Sequence, residues 1–173
     1  MIAEKTLKAE TLSRQLRLGE GPFLLQRRGI VALSLVAVGS MSLISLYQMG
    51  IIKHLPEPPL PMLDADKVDA SAEAYSRFST PDAILAIGSY TMTAGLAAMG
   101  GQERAKEQPW IPLALAAKVA FDTFQAIRLF RDQLTRFHAF CSWCLLAAGT
   151  TVATIPLVIP ETWAALRQLL KRT

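Results

Sequence analysis

From residue 29 to residue 52 the chain runs 24 positions without a charged side chain. A bilayer's hydrocarbon core requires roughly 20 apolar residues of helix to cross it, so this run predicts a membrane-spanning helix. Three further runs carry the same reading. Residues 81–101 contain only Asp82 as a charge, 110–130 are interrupted by Lys118, Asp122 and Arg128, and 140–159 are uncharged. A buried core helix of a soluble protein is the competing reading, strongest for the third run. With 51% of its 173 residues hydrophobic and 18% charged, the chain is too apolar for an ordinary soluble domain. The expectation is an all-α integral membrane four-helix bundle: a leader at 1–28, a transmembrane domain at 29–161 and a basic tail at 162–173.

The eighteen basic residues sort by side. In a four-span arrangement the leader, the 102–109 loop and the tail share one face and hold eleven Lys and Arg; the other face, Arg128 included, holds six, and Lys118 lies inside the third span. The positive-inside rule puts both termini in the cytoplasm. The basic residues form no dense patch interleaved with aromatics, which argues against a nucleic-acid partner. A mixed-charge leader with no small-residue cleavage site predicts that the first run stays as an anchor.

The 53–80 loop then lies outside. Pro56, Pro58, Pro59 and Pro61 enforce an extended stretch. Val68, Ser71, Tyr75 and Phe78 follow at helical spacing and predict a short helix at the membrane surface. Thr80 reads as an N-cap, Pro81 as the first helical residue and Asp82 as an acid suited to the helix dipole.

Cys141 and Cys144 are the chain's two cysteines. One helical turn apart, two thiols close into a disulfide and reopen, which makes redox chemistry the leading reading; the outer face is where disulfides persist. With His54 and His138 they form no convincing four-ligand set, so no metal is expected. The chain has no P-loop, G-x-G-x-x-G or G-x-S-x-G. Lys118 and Asp122, four apart, read as a pair facing the bundle interior, with a proton relay as the alternative. His138 reads as a solvated interfacial residue, with thiolate stabilisation as its alternative.

The order of these features resembles the vitamin K epoxide reductase family: four core helices, an outer loop with a short helix after the first, and C-x-x-C at the outer end of the fourth. The resemblance rests on Cys141-Ser142-Trp143-Cys144, on Ser71, and on Phe78-Ser79-Thr80-Pro81 leading to Gly88 and Tyr90. Leu55-Pro56-Glu57-Pro58-Pro59 is similar to a bacterial branch. The resemblance implies electron transfer from an extracytoplasmic thiol protein through Cys141 and Cys144 to a membrane quinone of the ubiquinone or menaquinone type, in a bacterial inner membrane. It implies that Cys144 faces the quinone and the lipid and that Cys141, nearer the helix start and the aqueous face, exchanges with the partner. Ser71, Asp82, Tyr90 and Trp143 become candidate quinone contacts; a helix-start acid, interhelical packing and an interfacial anchor are the structural alternatives for Asp82, Tyr90 and Trp143.

Two departures stand beside the match. Typical members carry loop cysteines, and the corresponding stretch here reads Asp64-Ala65-Asp66-Lys67-Val68. Ala148 replaces a tyrosine found in vertebrate members, which argues against vitamin K epoxide as a substrate. A non-catalytic membrane protein, or a thiol sensor on the same scaffold, is therefore the alternative function.

Overall fold

A computed structural model describes residues 2–171, with side chains from residue 6 onward; Lys5 and Arg172 of the charge count lie outside the described side chains. Among the described residues every regular element is a helix. In chain order the helices are α1 (Ile2–Leu18), α2 (Leu24–Gln48), α3 (Ala65–Asp69), a 3₁₀ turn (Ala72–Tyr75), α4 (Asp82–Ala98), α5 (Arg104–Glu107), α6 (Trp110–Asp132), a π turn (Gln133–Phe137) and α7 (Ser142–Leu170). The four long helices α2, α4, α6 and α7 pack on one another; α2 lies against α4 and α7, and α7 also against α6.

The packing follows from spacing. On α2 the buried residues Ile30, Ser34, Ala37, Met41, Ile44 and Gln48 recur at alternating steps of four and three, and on α7 Cys144, Ala147, Thr151, Thr154, Val158, Glu161 and Ala165 do the same. Such a stripe faces a neighbour along a helix's whole length. Its small and hydroxylated members let backbones approach closely, and the hydroxyls of Ser34, Thr151 and Thr154 return to the carbonyls of Ile30, Ala147 and Thr150 at 2.8–3.0 Å. Large apolar side chains point outward instead: Leu35, Met92, Phe124 and Val152, one from each long helix, are all more than half exposed.

Two of these helices, Leu24–Gln48 and Ser142–Leu170, are long and apolar enough to cross a membrane on length and composition. α4 has 17 residues, and α6 carries Lys118 and Asp122. That pair is formed: Lys118 Nζ lies 2.6 Å from the Asp122 carboxylate and donates to Ser89 Oγ at 2.8 Å, while Ser89 and Thr93 donate to the same carboxylate at 2.9 and 3.0 Å. The cluster fastens α6 to α4. Lys118→Met is expected to cost about 3 kcal/mol by leaving the Asp122 charge with only the Ser89 and Thr93 hydroxyls, and Lys118→Met with Asp122→Leu to recover most of it; thermal melting in detergent checks both.

At the opposite end from the cysteines, Arg27 on α2 donates to the carbonyls of Ala97, Ala98, Met99, Gly100 and Gly101 at 2.8–3.0 Å. These carbonyls close α4, and a cation suits a helix C-terminus. Arg104, fully buried, donates both Nε and Nη2 to Glu161 at 2.7 and 2.6 Å, and Nη1 to Leu96, Ala97 and Met99. Gly100 sits at φ +83°, and a Cβ there would lie 3.2 Å from Arg104.

Three local expectations change. The loop helix is two pieces, α3 and the 3₁₀ turn, parted where Ser71 turns extended at φ −67° and ψ 151°; Phe78 lies beyond both, at a left-handed φ of 53°, and points into solvent. Thr80 does not cap α4. Its hydroxyl donates to Phe78 O, and the amide of Ala83 is taken by Gln48 Oε1 at 3.3 Å. Finally, the fourth long helix does not stop near residue 159; it runs through Pro156 and Pro160, so most of the expected tail is its last turns.

Candidate active site

Cys141 is the N-cap of α7, and its Sγ accepts the amide of Cys144 at 3.1 Å. Sulfur here does what a serine oxygen does at most helix starts. The Cys141 amide in turn donates to Gln133 Oε1 at 3.1 Å, from the π turn that ends α6. Both cysteines are free thiols; Cys141 is completely buried and Cys144 is 6% exposed.

What covers them is the 53–80 loop. Glu57 holds two amides at once, Ser142 N at 2.7 Å and Ala65 N at 2.5 Å. Trp143 Nε1 donates to Pro56 O at 2.9 Å. Phe140 exchanges backbone bonds with Met62 and Asp64, at 2.7 and 2.9 Å, in a single parallel bridge beside Leu63. Met62 reaches it at φ +75°, a strained setting for a side-chain-bearing residue that a specific tertiary contact must hold. Asp66 closes the strap from the other end, accepting Leu55 N at 2.9 Å and meeting His54 Nδ1 at 2.7 Å. Cys141 therefore lies beneath a strap instead of facing water as its position predicts.

The loop also brings in a carboxylate. Cys144 Sγ donates to Asp69 Oδ1 at 3.5 Å, and Asp69 Oδ2 is buried with no hydrogen-bond partner. The reacting atoms of Asp69, Cys141 and Cys144 all lie within 4.8 Å of one another. These are three donors; a structural zinc takes four. Burial lifts the Asp69 carboxyl to about 7, with hydrogen bonds from the two cysteines opposing the rise and Asp82 and Glu57 adding to it. An ordinary aspartate titrates near about 3.9. Since the folded state keeps the proton longer, Asp69 stabilises the fold fully below about pH 4, and that contribution drains away as pH rises to about 7. Asp69→Asn is thus expected to melt with the wild type near pH 4 and several degrees above it at pH 8, read by a thermal melt at each pH.

Gln48, at the end of α2, ties the site to the rest of the bundle. Its Nε2 donates to Asp82 Oδ1 at 2.8 Å and to the Asp69 carbonyl at 3.2 Å, and its own carbonyl accepts Tyr75 OH at 3.1 Å. Asp82 thus sits beside the site, held by an amide. Tyr90 packs against the same apolar cluster as the cysteines, with its hydroxyl 3.3 Å from Thr151 Oγ1, two turns along α7 from Cys144. Trp143 packs there too. Ser71 stands at the turn after α3, and Asp69, two residues earlier, is the loop residue that reaches sulfur. His138 is exposed in a left-handed turn, and Gln133 meets the Cys141 amide instead. Asp69, Gln48 and Glu57 escape sequence reading; the one available signal was the placement of Glu57 inside the Pro56–Pro59 run.

A model of the vitamin K epoxide reductase family matches residues 29–159. The chain belongs to that family. Its members are membrane-integral and couple thiol–disulfide redox chemistry to a quinone. The match spans most of α2 to most of α7 and takes in the strap, α3 and the cysteine pair, leaving α1, the first turn of α2 and the last turns of α7 outside. No curated protein and no solved structure compared with the chain matches it.

Proposed function

We propose that the protein is a membrane thiol:quinone oxidoreductase that takes electrons from an extracytoplasmic thiol protein through Cys141 and Cys144, so supporting disulfide formation. The single observation that carries this is the buried dithiol at the start of α7, inside a fold of the matching family. All four long helices cross the bilayer in this reading, with both termini in the cytoplasm of a bacterial inner membrane. The large apolar side chains that each of them turns outward support it, since lipid is the medium that tolerates them.

The surroundings of Cys144 fit a quinone in chemistry: an apolar cluster with Tyr90, Tyr47 and the Trp143 ring packed on it, and the Asp82 carboxyl at its rim beside the Gln48 amide. A bound quinone would supply a two-electron, two-proton acceptor. Tyr90, and Asp82 in its protonated form, would donate hydrogen bonds to its oxygens, Trp143 would exclude water from the sulfur, and Ser71 would line the loop side. In this reading Cys144 faces the quinone, and Cys141 is the one a partner thiol reaches once the strap lifts. With no loop cysteine in the chain, the partner dithiol reduces the Cys141–Cys144 disulfide directly.

The absence of loop cysteines favours one second reading, a thiol sensor whose disulfide titrates without quinol production. Mixing the reduced, purified protein with a short-chain quinone under argon separates the two. The expected result is one quinol formed per dithiol lost; a dithiol that oxidises only with other oxidants, leaving the quinone untouched, overturns the oxidoreductase.

A further inference from the structure

We propose that Asp69 is a catalytic residue of the dithiol: its carboxylate takes the Cys144 thiol proton as the pair closes to a disulfide, and gives a proton back as the pair reopens. This rests on the thiol redox reading above and adds to it the group that moves the proton.

The geometry carries the assignment. Cys144 Sγ and Asp69 Oδ1 are 3.5 Å apart, a thiol-to-carboxylate hydrogen bond within a pair of groups that are both almost wholly buried. A buried carboxylate oxygen without a partner is costly and native proteins rarely keep one; Asp69 Oδ2 is such an atom. A proton arriving on either oxygen relieves that cost, so the carboxylate is primed to accept one. Its placement is enforced from outside the redox pair: Asp69 ends α3, whose start is held by Glu57 and whose last carbonyl is held by Gln48. The groups facing it are Cys141 and Cys144 from α7, Asp82 from the start of α4 and Glu57 from the strap, with Tyr47 on α2. The carboxyl titrates at about 7, which is where a general base works best near neutral pH.

The proton and electron counts close. The two thiols lose two electrons and two protons as the Sγ–Sγ bond forms. The Cys144 proton passes to Asp69, the Cys141 proton leaves with the acceptor, and Asp69 then releases its own, so that a two-electron acceptor ends with both electrons and both protons and the carboxylate is restored. In reopening, a partner dithiol supplies both electrons and both protons. Its first thiol gives its proton to the Asp69 carboxylate and attacks Cys141 Sγ as thiolate, the Sγ–Sγ bond breaks and the departing Cys144 sulfur takes that proton from Asp69. The partner's second thiol then displaces Cys141, which leaves as the thiol with that second proton, and the partner's disulfide is released.

Oxidation of the reduced, full-length protein by diamide tests this without a quinone or a protein partner, because the azo bond of diamide takes the two electrons and two protons to become a hydrazine. The rate for the wild type is expected to rise through an inflection near pH 7. Asp69→Asn should lose that inflection and run at least about tenfold slower at pH 8, while Asp69→Glu keeps it. A wild-type profile without a neutral inflection overturns the proposal with no variant needed, and so does an Asp69→Asn profile that overlays the wild type. Quinone reduction followed in parallel keeps the readings apart: loss of that activity alone sinks the quinone acceptor and leaves Asp69 in place, whereas loss of the inflection alone sinks Asp69 and leaves the quinone.

Discussion

Cys144→Ala and Cys141→Ser are each expected to reduce quinone turnover to background, because neither can form the disulfide through which both electrons pass. The two cysteines differ in what else they do. Cys141 Sγ caps α7 by accepting the Cys144 amide, and a serine oxygen accepts that amide at least as well. Cys141→Ser should therefore be inactive and as stable as the wild type, while Cys141→Ala should be inactive and less stable by about 1 kcal/mol. Quinone absorbance measures the first effect and a thermal melt the second. Turnover retained in either single-sulfur variant would mean that the electrons take another route, and the site would have to be sought elsewhere.

Glu161→Ala is expected to destabilise the protein strongly. Arg104 is fully buried and Glu161 nearly so, and the two are joined by a two-pronged ion pair. Removing the carboxylate leaves a guanidinium out of water with only the α4 carbonyls for company, a loss of about 3–5 kcal/mol, or roughly 10 °C of melting temperature for a chain of this size. Glu161→Gln, which still accepts from Arg104, should lose less. Truncating Arg104 should be worse than truncating Glu161, since its Nη1 also satisfies Leu96, Ala97 and Met99. An exposed pair such as Lys106–Glu103 should show almost nothing in the same assay.

The elements that sequence makes legible are those whose cause is local and periodic. The uncharged runs at 29–52 and 140–159 imply helices because their apolar residues are dense enough to need no other support. The redox pair is legible for a similar reason, since its chemistry depends on two residues three apart. What escapes is held across long stretches of chain. Glu57 caps α7 from 85 residues away, and Asp69 meets Cys144 across 75. A charged residue in a loop reads as solvated when nothing nearby requires it, and only the fold supplies the amide or thiol that does. The start of α4 shows the same competition: Thr80 is a sound cap by local rules, but Gln48 arrives from α2 and takes the amide, leaving the threonine to its own turn.

The length of α7 has a consequence for depth. Cys144 and Glu161 lie on one buried stripe, seventeen residues apart, which is about 25 Å of helix at 1.5 Å per residue. The hydrocarbon layer of a bilayer is about 30 Å thick. With the cysteine pair near the outer boundary of that layer, as in the proposed topology, the Arg104–Glu161 pair falls near the inner boundary, where charge is cheapest to keep. One helix thus works as a depth gauge with a mark at either end: sliding it outward would drag an ion pair into oil, and sliding it inward would drown the thiols where no partner protein can follow.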